Sequence, residues 1–225
     1  MLFHPSSLLL IPGIALMMWA QFRVQGTYQK YSQVRSSMGM TGAQVAETIL
    51  QRMGVHNVKV EPVAGELTDH YDPSAKAVRL SEVVYGSNSL AAAAVAAHEC
   101  GHVLQDVKGY KPMNVRAALV PAANFGSNIG PLLVVAGFFL GTAGGFFVNL
   151  GIVLFTAVIL FHIITLPVEF DASRRALNLI DEFGILQGEE NRAARKVLNA
   201  AALTYVATAL YAVLQLAQYL LLRRE

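Results

Sequence analysis

Two histidines four residues apart, His98 and His102, enclose Glu99 in the run Val95-Ala96-Ala97-His98-Glu99-Cys100-Gly101-His102. A helix turns about 100° per residue, so this spacing puts both imidazoles on one face, a turn apart. Two imidazoles so placed can bind one zinc ion, and Glu99, on the flank of that face, can take a proton from water activated there. The neighbours Val95, Ala96, Ala97, Cys100, Gly101, Val103 and Leu104 are uncharged and no proline interrupts them, which favours zinc binding over two structural histidines. Such a site needs a third protein ligand and leaves a fourth position for water. The candidates are Glu169, Asp171, His70, His162 and Asp106.

The element that carries the pair is an alanine-rich helix entered from Ser87-Asn88-Ser89 at Leu90. Upstream, Thr41 with Gln44 three residues on predicts a capped helix whose apolar face is Val45, Ile49 and Leu50, ended by Gly54. Val58 to Val63 alternates and predicts a strand, with Pro62 placing it near an edge. A second strand is expected at Ala77 to Leu80, after the turn Asp72-Pro73-Ser74. That strand, near Val78 to Leu80, is a candidate for pairing with an extended peptide. His70 and Tyr71 lie between the two strands, as solvated turn residues or as donors to substrate or a developing oxyanion. Asp106, one turn beyond His102, is either a support for a ligand histidine or a solvated carboxylate. Cys100, opposite the ligand face, reads as a buried thiol.

The solvent for the rest of the chain is partly lipid. Of 225 residues, 54% are hydrophobic and 14% charged, against roughly 25% charged in soluble domains. A net charge of +2 and basic residues without interleaved aromatics argue against nucleic acid. A single cysteine allows no intrachain disulfide, which is compatible with a reducing compartment. Four apolar segments are candidate spans: Ser6 to Phe22, Ile129 to Phe147, Leu150 to Val168 and Ala200 to Leu222, the middle two separated near Asn149. Gly137, Gly141, Gly144 and Gly145 favour close helix packing. The first segment is short enough for a signal peptide, but it lacks a basic leader and is followed by Arg23, Lys30 and Arg35, so a retained anchor is the better reading. His162 sits inside the third span, where a neutral histidine bonded to another helix is favoured over a functional one.

With the amino terminus outside, four spans put all of the 17 Lys and Arg residues except Arg223 and Arg224 on the cytoplasmic side. Glu169 ends the third span, and the two crossings between it and His102 return the chain to the same membrane face. Glu169 can therefore reach the zinc helix without crossing lipid, which makes it the best third ligand.

Three stretches carry a family resemblance: Leu67-Thr68-Asp69-His70-Tyr71-Asp72-Pro73, Val95 to His102, and Pro167-Val168-Glu169-Phe170-Asp171-Ala172-Ser173-Arg174-Arg175-Ala176. With the first span and Tyr31 to Ser37, they make nearly the whole chain resemble the bacterial neutral zinc membrane metallopeptidases of the YugP type. A more distant similarity is to the HtpX-like and CAAX-prenyl membrane proteases. The resemblance implies His98, His102 and Glu169 as ligands of one zinc ion per chain and Glu99 as general base. Where those distant relatives carry an aspartate, this chain has Ser173, so a different partner must hold one of the histidines.

The expectation is a mainly α-helical integral membrane protein with about four transmembrane helices and a small α+β, zincin-like catalytic region. Its parts are an anchor and basic flank (1–35), a cytoplasmic catalytic region (36–116), two spans (117–168), a helix with the third ligand (169–199) and a last span (200–225). The expected activity is zinc-dependent endopeptidase action on polypeptides, with membrane proteins and their quality control implied by the resemblance alone. It is gluzincin-like, at the bacterial inner membrane. The alternatives are a zinc-binding membrane scaffold or sensor without turnover, and a metal transporter, which the scarcity of ionisable residues in the spans disfavours. Substrate identity and oligomeric state are not legible in the sequence.

Overall fold

The computed structural model describes residues 5–140 and 144–223. His4, Gly141 and Arg224 lie outside the described residues. The elements run, after a 3-10 segment at Pro5–Leu10, as α1 (Ile11–Ser32), α2 (Gly42–Arg52), β1 (Lys59–Val63), β2 (His70–Asp72), β3 (Ala77–Ser81), α3 (Glu82–Tyr85), α4 (Leu90–Val107), α5 (Lys111–Phe139), α6 (Gly144–Glu182) and α7 (Glu189–Leu222). They form two compact units. One is built from Met1–Gln21, Lys111–Pro167 and Leu203–Glu225, the other from Phe22–Tyr110 and Val168–Ala202.

Among the described residues, four helical stretches are long and apolar enough to cross a membrane: Pro5–Ser32, Lys111–Phe139, Gly144–Glu182 and Glu189–Leu222. The expected number of spans stands, but one boundary moves. The second span ends at Phe139 and the third begins at Gly144, so Asn149 lies inside α6 and the break falls upstream of it. Small residues bring α5 and α6 together: a side chain at Gly137 would meet the Gly144 carbonyl at 2.7 Å, and one at Gly151 would meet the Gly130 carbonyl at 2.6 Å. Nothing lies within 4 Å of such a side chain at Gly145. Val134, Val148, Ile152, Phe155, Val158, Ile159, Ala212 and Tyr219 form a buried cluster in this unit.

In the other unit, α2 starts as its sequence demands. The Thr41 hydroxyl accepts from the Gln44 N–H, the Gln44 side chain accepts from the Thr41 N–H, and Gly54 follows the helix at φ +71°. Val45, Ile49 and Leu50 are buried, and so are Val78 and Leu80 of β3 and Val103 of α4. The sheet has the order β1-β3-β2, with β1 parallel and β2 antiparallel to β3. Pro62 therefore sits on an edge strand, as expected. The expectation that Val78 to Leu80 accepts an extended peptide is overturned, because β3 is the central strand and both of its edges are taken. His70 and Tyr71 lie in β2 rather than in a connection, paired with Arg79 and Val78. The turn after β2 is held by Asp72, whose carboxylate accepts from the Ser74 and Ala75 N–H groups and from Arg79.

Candidate metal centre

Helix α4 begins at Ser89, whose hydroxyl caps the Ala92 N–H, and its alanines let neighbouring backbones approach closely. One such close approach is at Gly101, between the two histidines. A Cβ there would lie 3.0 Å from the carbonyl carbon of Ala172 in α6 and closer still to its oxygen. Glu169 and Ser173, one turn before Ala172 and next to it, are carried by the same contact onto the histidine face.

The result is a compact donor set within one unit. The Nε2 of His98 lies 3.2 Å from Glu169 Oε2, and the Nε2 of His102 lies 3.7 Å from the same oxygen. A metal-ligating atom from each of the three residues lies within 4.8 Å of the other two. A tetrahedral ion with bonds of about 2.1 Å separates its ligand atoms by about 3.4 Å, so the spacing to Glu169 fits zinc. Two imidazole nitrogens and one carboxylate oxygen are also a donor set that catalytic zinc takes. His102 and Glu169 are buried, and His98 is partly exposed.

Each histidine of this set is also contacted through its Nδ1. Ser173 Oγ lies 3.2 Å from the Nδ1 of His98, and Gln105 Oε1 lies 3.0 Å from the Nδ1 of His102. Ser173 therefore reaches His98 itself, which corrects the expectation that a different residue must take over its place. Gln105 is the residue that sequence reasoning missed. Its signal was its place three residues after His102, on the same helical face. Gln105 in turn donates to Asp171, which also accepts from Arg174 and Arg175.

Glu99 is 6% exposed, so it sits in the dry part of the site. Burial raises its carboxyl above the ordinary value, against the opposing pull of His98 and His102. For His102, burial acts to lower the value, but the adjacent carboxylates of Glu169 and Glu99 outweigh it and the imidazole is raised. Cys100 is fully buried beside them with its thiol toward the Ala46 carbonyl, and burial raises it well above the ordinary thiol range. Such a thiol stays protonated and unreactive.

The other sequence candidates lie apart from this donor set. His70 is exposed on β2, its Nδ1 2.7 Å from the Thr68 carbonyl. The Tyr71 hydroxyl donates to Asp106 at 2.6 Å, and burial followed by that bond raises it well above the ordinary phenol value. Asp106 also accepts from Lys76, so it fastens the end of α4 to β2 and the β2–β3 turn. Burial pushes the Asp106 carboxyl up, but Lys76 and Tyr71 more than offset it and the carboxyl lies below its ordinary value. His162 packs edge-on against Phe161.

Comparison with known proteins agrees with this geometry. The family described as "Putative neutral zinc metallopeptidase" matches residues 6–224. The chain is 46% identical over 214 residues to "Putative membrane protease YugP" of Bacillus subtilis (strain 168), covering 95% of this chain and 94% of that protein. No solved structure matches. A match over nearly the full length, together with a donor set suited to zinc, leads to one assignment: the chain belongs to this neutral zinc metallopeptidase family.

Proposed function

We propose that this protein is a zinc-dependent endopeptidase that hydrolyses peptide bonds at the cytoplasmic face of a membrane. The observation that carries the reading is the convergence of His98, His102 and Glu169 beside the buried carboxyl of Glu99. One zinc ion held by the three ligands supplies Lewis acidity, which polarises a carbonyl and brings the pKa of water from 15.7 toward about 7. Glu99 takes the proton from the attacking water and passes it to the leaving amine. A carboxyl raised by burial suits this work, because it holds the proton long enough to deliver it. His98, His102 and Glu169 orient the ion, and Ser173 and Gln105 hold the two rings.

Substrate recognition is assigned to β2. It is an edge strand and it packs against α4, so an extended peptide would add there rather than to β3. His70, exposed on that strand, is the proposed substrate contact, whereas the Tyr71 hydroxyl is engaged by Asp106. The cytoplasmic side follows from the distribution of Lys and Arg between the apolar helices. Membrane proteins are the proposed substrates, in keeping with the helices of this chain that are long and apolar enough to cross a membrane.

The deciding experiment compares wild type with Glu99→Gln, full length in detergent, for zinc-dependent cleavage of casein and of the protein itself. Wild type is expected to cleave and to stop when zinc is chelated, while the variant keeps its zinc and loses turnover. Equal proteolysis by the variant refutes the role of Glu99. Zinc binding by wild type with no cleavage of any polypeptide supports a scaffold or sensor instead.

A further inference from the structure

The hydrogen bonds around Gln105 determine more than its position. Gln105 is 0% exposed, so every polar atom of its amide must find a partner inside the protein. Its Nε2 lies 2.8 Å from the Val168 carbonyl and 3.0 Å from Asp171 Oδ2. Both of those atoms accept and neither can donate, so the amide nitrogen must face them and the amide cannot be flipped. The atom left for His102 is the amide oxygen, 3.0 Å from its Nδ1. An amide oxygen only accepts, so the proton of that bond sits on Nδ1.

We propose that Gln105 is a positioning residue that locks His102 as its Nδ1–H tautomer, leaving Nε2 to face Glu169 as a ready metal ligand. Asp171 keeps the amide in that orientation. It is buried, and it is braced by Arg174 and Arg175, the second of which lies over the Tyr110 ring at 5.5 Å. The carboxylate that would touch the histidine directly in a carboxylate–histidine–metal arrangement stands here one residue further out, with a neutral amide between. His98 differs. Its Nδ1 meets the Ser173 hydroxyl, which can donate or accept, so that contact leaves either tautomer open. The site thus has one preset histidine and one adaptable one.

The inference rests on the reading of the site as a zinc centre, and its test separates the two. The full-length protein in detergent is labelled with nitrogen-15 in its histidines, and the ring resonances of His102 are assigned by their loss in His102→Gln. The expected result is an Nδ1–H ring for His102 in both metal-free and zinc-loaded protein. In parallel, metal-free wild type and Gln105→Leu are titrated with zinc against a chromophoric chelator. The leucine keeps the volume and removes the hydrogen bonds, and zinc affinity is expected to fall about 10–100-fold. The visible spectrum of the cobalt-substituted variant should shift as the ring reorients, which a purely structural role would not cause. An Nε2–H ring for His102, or zinc affinity in the variant within about threefold of wild type with an unchanged cobalt spectrum, overturns the proposal. If Gln105→Leu does not fold, the wild-type ring spectrum decides alone. Failure of wild type to bind zinc refutes the zinc reading, while the metal-free ring spectrum still tests the tautomer.

Discussion

Replacing Gly101 with alanine sets two effects of one methyl group against each other. In the helix interior alanine is favoured over glycine by about 1 kcal/mol. The new Cβ, however, would stand 3.0 Å from the Ala172 carbonyl carbon, with the oxygen closer still, and ordinary contact begins at 3.4 Å. The α4 and α6 backbones must separate by at least 0.4 Å (3.4 − 3.0) to relieve the carbon, and by more for the oxygen. Overpacking of this kind costs about 1–3 kcal/mol, so the net loss of metal-free stability is about 0–2 kcal/mol. The metal is less forgiving, since ligand distances are held to about ±0.2 Å. Because α4 carries His98 and His102 and α6 carries Glu169, the shift exceeds that tolerance and, if these three hold zinc, lowers its affinity about 10–100-fold. Thermal unfolding of the metal-free protein and zinc competition against a chelator measure the two quantities on one sample. A Gly101→Ala protein that holds zinc as tightly as wild type refutes the argument that this contact sets the ligand spacing.

Glu169→Gln should lose more zinc affinity than the roughly 10–100-fold expected of a residue that only supports a ligand, whereas Glu99→Gln should keep its zinc; equal retention by both removes Glu169 from the ligand set. Ser173→Ala leaves an adaptable ring without its partner and is expected to weaken zinc by at most about tenfold, measured by the same competition; a larger loss than in Gln105→Leu would reverse the ranking of the two histidines. The Asp106 carboxyl is lowered in the folded state by Lys76 and Tyr71, so its contribution to stability is complete above the unfolded value near 3.9 and is lost as pH falls through the folded value. Lys76→Met is therefore expected to be less stable than wild type by about 1 kcal/mol near neutral pH. The difference should begin to close as pH falls below about 4 and disappear once Asp106 is protonated in the folded protein, and a gap that does not change with pH refutes the pairing.

Where local chemistry decides, sequence and structure coincide. The Thr41 and Gln44 capping box, the helix that carries His98 and His102, and Pro62 on a sheet edge depend on residues within a few positions of one another. Glu169 was reached by a different route, the parity of membrane crossings, which constrains the chain over long distances without any contact being known. The three-residue strand β2 escaped because alternation needs a longer run to show itself. Asn149 lies inside α6 rather than between two spans, because hydropathy is nearly uniform in this part of the chain and a single polar residue does not end a helix. Gln105 carried only the weak signal of its spacing from His102, for a third reason. Its partners in α6, Val168 and Asp171, are brought to it by the packing of α4 against α6 at Gly101 and Ala172, and nothing local to Gln105 encodes that.

The distance along the chain between ligands also has a meaning in time. His98 and Glu169 are 71 residues apart, and both α5 and the apolar part of α6 are synthesised between them. At about 5–20 residues per second, roughly 4–14 s separate the emergence of the first ligand from that of the last. During that interval a nascent chain holds only two of the three residues of the candidate donor set, His98 and His102. The order of these residues along the polypeptide means that the set is completed only after two apolar helical stretches have been made.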